Sequence, residues 1–140
     1  MISKTVTYKD YNGVTRTETH YFHLNEAEII DMEMSVHGGF IENLRTIIDA
    51  KDAVTLYKTV KDFIHKSYGV KDAEGRRFIK NQQVLDDFVQ TEAYSKIFSE
   101  LVKNDKLASD FIVGILPDDF QETIAKANAE KAKLAVVTNN

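Results

Sequence analysis

Tyr21-Phe22-His23-Leu24-Asn25-Glu26-Ala27-Glu28-Ile29-Ile30 is the stretch that decides the fold of this chain. Up to Leu24 the sequence is rich in Thr, Val, Tyr and Phe and alternates as a strand does. From Asn25 the period becomes helical. Asn25 can cap the first turn, and Glu28 three residues on completes a capping-box spacing. Working outward to the N-terminus, Ile2–Lys9 and Val14–Leu24 form two strand-like runs around Asp10-Tyr11-Asn12-Gly13. Gly13 can take positive φ, so a three-residue hairpin loop with a bulge fits. That register places Ile2, Val6, Tyr8, Val14, Phe22 and Leu24 on one face. Ser3, Thr5, Thr7, Thr15, Thr17 and Thr19 fall on the solvated face. A two-residue Asn-Gly turn would give a poorer stripe. An isolated ribbon is marginal in water, so the hairpin must pack on helices or pair with another chain.

Toward the C-terminus a run of helical stripes follows. Ile29, Ile30, Met32 and Met34 precede a Gly38-Gly39 turn. Phe40, Ile41, Leu44, Ile47 and Ile48 form the next stripe. Asp52 is placed to cap a helix carrying Leu56, Tyr57, Val60, Phe63, Ile64 and Tyr68, which Gly69-Val70 stops. Residues 71–81 read as a polar connection. Val84, Leu85, Phe88 and Val89 resume the helical period, and Thr91-Glu92 starts a turn carrying Tyr94, Ile97, Phe98, Leu101 and Val102. Asp105 is placed to cap a piece with Leu107, Phe111, Ile112, Ile115 and Leu116, stopped by Pro117. The expected fold is α+β, mainly α, in one domain: a β-hairpin over residues 1–24, a helical domain over 25–117, and a weakly amphipathic, alanine-rich helix with a frayed tail over 118–140, with five or six helices in all between 25 and about 130.

The bulk numbers narrow the function classes. The 140 residues suit one ordinary domain, and 43% apolar content suffices for one core. The net charge of -4 offers no basic field to draw in nucleic acid. Zero cysteines exclude disulfides, thiolate metal sites and a Cys nucleophile. No apolar run approaches the roughly 18 residues that span a bilayer. The expectation is a soluble, intracellular protein with no membrane partner.

Reactive constellations are missing. His20 and His23 lie three apart on a strand, so they point to opposite faces, and the plain reading is hairpin surface histidines. His65 beside its apolar stripe reads as a packed or half-exposed histidine. Glu26, Glu28, Asp31 and Glu33 are ordinary partners of a helix N-terminus. Gly38-Gly39 lacks the strand, Lys and Ser/Thr of a phosphate loop. The serines have no nucleophile-elbow context. Arg76-Arg77 is the only basic cluster, a loop that could touch a phosphate or acidic partner but reads more simply as solvated, with Phe78 as its anchor. The expectation is no enzyme, with no catalytic, cofactor or metal residues.

One family likeness runs through the chain. Lys4-Thr5-Val6-Thr7-Tyr8, Asp10-Tyr11-Asn12-Gly13, Tyr21-Phe22-His23-Leu24, the helix at Glu28-Ile29, Gly38-Gly39-Phe40, Tyr68-Gly69-Val70-Lys71, Gly75-Arg76-Arg77-Phe78-Ile79-Lys80, Gln90-Thr91-Glu92-Ala93-Tyr94 and Phe111-Ile112-Val113-Gly114-Ile115-Leu116-Pro117 occur in this order. In this the sequence resembles the tail assembly chaperones of long-tailed phages that infect Gram-positive hosts. The resemblance implies a non-enzymatic protein that holds the tape measure protein soluble in the host cytoplasm while tube subunits polymerise round it, and that is absent from the finished virion. It also implies a possible longer frameshifted product of the same gene. It supplies no catalytic residues. The competing expectation is a small structural virion protein, such as a connector or tail component.

Two further expectations concern partners. Tyr94, Phe98, Phe111 and Ile115 recur at helical spacing on the richest stripe of the chain. A bundle of this size need not bury them all, so they are the candidate client-binding residues. The hairpin's edges invite pairing with a second copy, giving a homo-oligomer.

Overall fold

The computed structural model describes residues 1–35 and 53–119. The first hairpin forms in the bulged register. Strands β1 (Ile2–Lys9) and β2 (Thr15–Phe22) pair antiparallel, from Ile2 opposite Phe22 to Lys9 opposite Thr15. The loop closes with the Asp10 N–H donating to Val14 O at 2.9 Å and the Gly13 N–H to Asp10 O at 2.9 Å. Gly13 sits at φ +79°, where a β-carbon is disfavoured. The Asp10 carboxylate accepts from the backbone N–H of Asn12 and Val14, and from Arg16 Nε at 2.8 Å.

The two faces separate largely as the alternation requires. Val6, Tyr8, Phe22 and, just past β2, Leu24 are buried. On the outer face Thr5 bonds Thr19 and Thr7 bonds Thr17, each at 2.9 Å between hydroxyls, giving cross-strand threonine pairs. Val14 departs from the expected stripe: it is 56% exposed at the loop end of the hairpin.

Helix α1 (Glu26–Ser35) starts at the predicted capping box. The Asn25 side chain accepts from the Glu28 N–H at 2.9 Å, and Glu28 accepts from the Asn25 N–H at 3.0 Å. Ile29 is buried and Met32 packs on the core, while Ile30 and Met34 face outward. The Gly38-Gly39 turn, the Phe40–Ile48 stripe, the Asp52 cap and the alanine-rich segment past residue 119 lie outside the described residues.

Helix α2 (Ala53–Ser67) leads straight into a strand, β3 (Tyr68–Lys71), rather than ending in a glycine cap and polar loop. Strand β4 (Phe78–Ile79) pairs with it, and β3 pairs with β2 through Tyr21 opposite Gly69 and Phe22 opposite Tyr68. The sheet is therefore four-stranded, in the order β1-β2-β3-β4. The β3–β4 turn repeats the chemistry of the first hairpin. The Gly75 N–H donates to Asp72 O, Gly75 has φ +71°, and the Asp72 carboxylate accepts from the N–H of Arg76 and Arg77.

Helices α3 (Gln82–Val89), α4 (Glu92–Val102) and α5 (Asp105–Gly114) complete the described fold, capped by Asn81, Thr91 and Asn104. The third cap is one residue earlier than expected: the Asn104 side chain, rather than Asp105, accepts from the Leu107 N–H at 3.1 Å. Helix α4 is central, touching β1, α2, α3 and α5. The core it helps to build holds Phe22, Leu24, Ile29, Ile64, Ile97, Leu101, Phe111, Ile112, Ile115 and Leu116, all fully buried. The end of the hairpin is stitched to the end of α5 by the Leu24 N–H donating to Ile115 O at 2.8 Å.

Candidate functional site

Four side chains carry the sequence-based expectation of partner binding, and the fold divides them into two pairs. Phe111 is 1% exposed and Ile115 is fully buried. Phe111 packs edge-on to Phe22 with centroids 5.3 Å apart. These two are core residues, because the end of β2 folds back across α5 and encloses that face. A helical stripe read along the sequence does not show which long-range strand covers it.

Tyr94 and Phe98 remain half-buried on α4. Their rings stack at 5.8 Å with 16° between planes. Tyr57 of α2 meets Phe98 edge-on at 5.4 Å and is 43% exposed, and Val54, one turn before it, is 59% exposed. Tyr57, Phe98 and Tyr94 thus form an aromatic run across the α2–α4 contact, with Val54 exposed beside it in sequence. Tyr57 was legible only as a stripe member. What distinguishes it is exposure, which depends on how α2 rolls against α4.

Tyr94 is held by a polar contact: its hydroxyl lies 3.0 Å from His65 Nε2. Burial pushes the Tyr94 phenol up, and burial pushes the His65 imidazole down. The run continues inward from Tyr94 to Phe88 at 5.5 Å, and from Phe88 to Tyr68, stacked at 4.1 Å.

The histidines of the hairpin are not surface groups. His20 lies 5.0 Å from Phe88 and 6.3 Å from Tyr68, centroid to centroid, because β3 and α3 cover the inner face of β2. Burial drives its pKa down, with the Glu18 carboxylate opposing. His23 follows β2, its ring 6.5 Å from Phe78. Arg76 and Arg77 occupy the β3–β4 turn. Arg77 Nε pairs with Asp72 at 3.4 Å, and both arginine N–H groups serve the Asp72 carboxylate, so the pair shapes the turn. Phe78 is half-buried in β4, its ring covering Gly69: a β-carbon there would stand 2.6 Å from Phe78 Cε2.

No group of three or more His, Asp or Glu side chains among the described residues is arranged to hold a metal ion. None of the described helices is long and apolar enough to cross a membrane. What the arrangement offers is apolar surface for a partner. A family model described as phage tail assembly chaperone matches residues 1–140, the entire sequence. The chain belongs to the phage tail assembly chaperone family. No curated protein and no solved structure matches it. Membership of this chaperone family accords with a non-enzymatic role.

Proposed function

We propose that this chaperone binds the tape measure protein of its phage and keeps it soluble in the host cytoplasm during tail tube assembly, without entering the virion. The carrying observation is the family match over all 140 residues. The surface supports the reading. A tape measure protein is a long helical chain with apolar stripes, and helix-in-groove recognition needs aromatic anchors beside a shallow apolar surface. Tyr57, Phe98 and Tyr94, with Val54, meet that need, while Phe111 and Ile115 serve the core. Repeated weak contacts of many copies along one client would add avidity.

Two partner proposals accompany it. A longer frameshifted product of the same gene that retains α2 and α4 would carry the same surface. A homo-oligomer would form through the outer edge of β1. Part of that edge is already occupied, since Lys96 Nζ donates to Thr7 O and Lys9 ends the strand. Pairing between copies is thus expected at its Ser3–Thr5 end.

The test is co-expression with the tape measure protein. Tyr57→Ser combined with Phe98→Ser should move the client from the soluble to the pelleted fraction while circular dichroism still shows a folded chaperone. Undiminished client solubility with that double variant would refute the surface. Finding the chain at stoichiometric amounts in purified virions would refute the assembly-only role and favour a structural component.

A further inference from the structure

On α2, Val54, Lys58, Lys61 and His65 follow one another at steps of four, three and four residues, and Tyr57 stands one turn before Lys61. Residues spaced in this way share one side of a helix. That side borders α4, since Tyr57 meets Phe98 at 5.4 Å and His65 meets the Tyr94 hydroxyl at 3.0 Å. Lys61 therefore lies between the two aromatic contacts, with Lys58 one turn before it, and both lysines are exposed. The charge of Lys61 reaches the site: burial and then Lys61 hold the His65 imidazole down, with Asp62 opposing.

These two ammonium groups are uncompensated. Neither makes an ion pair or hydrogen bond with a described residue. The one carboxylate of α2, Asp62, is taken by Lys66 at 2.8 Å. The facing wall brings no carboxylate either. On α4, Glu92 and Glu100 line a cleft with Tyr8 and Lys9, on the side of that helix turned toward β1. The Tyr94 phenol is held up by burial and then by Tyr57, with no carboxylate acting on it. Among the described residues the aromatic run thus has a positive rim, in a chain whose net charge is -4.

Apolar seams flanked by charge choose partners by the sign of the flanking residues, as coiled-coil seams do. Lysine stems can lie against apolar surface while their ammonium heads reach past it. Given that Tyr57, Phe98 and Tyr94 meet the client, we propose that Lys58 and Lys61 select client segments in which carboxylates flank the apolar helical stripe. The client helix lies along the α2–α4 seam, with its stripe on the three rings and its acidic flank over α2. A client helix flanked by lysines is disfavoured at the same place by repulsion.

The test uses two synthetic amphipathic helices with the same leucine stripe, one flanked by glutamates and the other by lysines, each titrated with the full chain by fluorescence anisotropy. The glutamate-flanked peptide should bind about fivefold or more tighter, since it gains two rim ion pairs where the other meets two repulsions. Non-specific attraction to a chain of net charge -4 would give the opposite order. The preference should shrink as salt rises. Lys58→Gln with Lys61→Gln should abolish it, and Lys58→Glu with Lys61→Glu should reverse it, with circular dichroism unchanged at these exposed positions. Equal binding of the two peptides, preference for the lysine-flanked one, no binding of either, or a preference that survives both lysine variants would overturn the proposal. Equal binding that is lost in the Tyr57→Ser, Phe98→Ser variant would sink the charge selection and leave the aromatic client surface standing. A glutamate preference that persists in that variant would place the lysines' partner away from the aromatic run, which also overturns the proposal. Co-expression with the tape measure protein tests the client surface independently of either peptide.

Discussion

Phe111→Ala separates core from surface on the stripe where the sequence leaves them mixed. The Phe111 ring is 1% exposed and sits against Phe22 at 5.3 Å, at the point where the hairpin end crosses α5. Truncating a buried phenylalanine costs about 3–5 kcal/mol, the sum of lost transfer energy and the cavity left behind. The edge-on contact with Phe22 accounts for about 0.5–1.5 kcal/mol of such a loss. A domain of this size has a total stability of about 5–15 kcal/mol, so the change removes a large fraction of it. For a chain of this length each kcal/mol moves the midpoint by about 3 °C, which gives a fall of roughly 9–15 °C. Thermal circular dichroism measures the midpoint, and urea unfolding gives the free energy. The denaturant slope should hold if the transition stays two-state. Tyr57→Ala at its 43% exposed position is the control and should cost less than about 1 kcal/mol. A midpoint within 2–3 °C of the parent for Phe111→Ala would refute the placement of α5 under the hairpin end.

Other outcomes follow from the caps, turns and histidines. Thr91→Ala removes the side chain that accepts from the Tyr94 N–H and should cost about 1 kcal/mol in urea titration, while Thr91→Ser should restore most of it. Gly13→Ala meets no atom within 4 Å, so its cost is backbone strain alone, about 1 kcal/mol at φ +79°, with circular dichroism at 25 °C unchanged. Lys80→Met breaks the 2.7 Å contacts of Nζ with Glu28 and with His23 O that tie the region after β4 to α1; a loss of about 1–2 kcal/mol is expected, and an unchanged midpoint would remove this tie from the account. His20, His23 and His65 are all held below their ordinary pKa by burial, so the unfolded chain binds more protons. Their contribution to stability is full above pH about 6.5 and is lost as the pH falls through the lower folded values. The midpoint should therefore drop between pH 7 and pH 5, and His65→Gln should lessen that drop; a midpoint flat across this range would contradict the burial of the three rings.

Local signals in the sequence determined the first hairpin, its register and most of the helix starts. Asp10-x-x-Gly13 specifies its loop because the aspartate carboxylate and the positive-φ glycine act within a few residues of each other. Asn25 with Glu28, and Thr91, are equally local. The second hairpin carries the same Asp72-x-x-Gly75 signal, but its strands have four and two residues, too short for alternation to show. Only the free side of β2 gives Tyr68–Lys71 a reason to extend rather than to cap a helix, and the Phe78 ring over Gly69 supplies the reason for that glycine. The family likeness was legible because it lies in the order of short segments. The division of the aromatic stripe was not. Whether Tyr94 or Phe111 meets solvent depends on which distant element covers which helix face, and helical spacing relates Tyr94 only to Phe98 and Phe111 only to Ile115, each pair on its own helix or at its end. The lysine rim belongs to the same class, since the spacing of Lys58 and Lys61 is local to α2, whereas their place beside Tyr94 and Phe98 comes from the packing of α2 on α4.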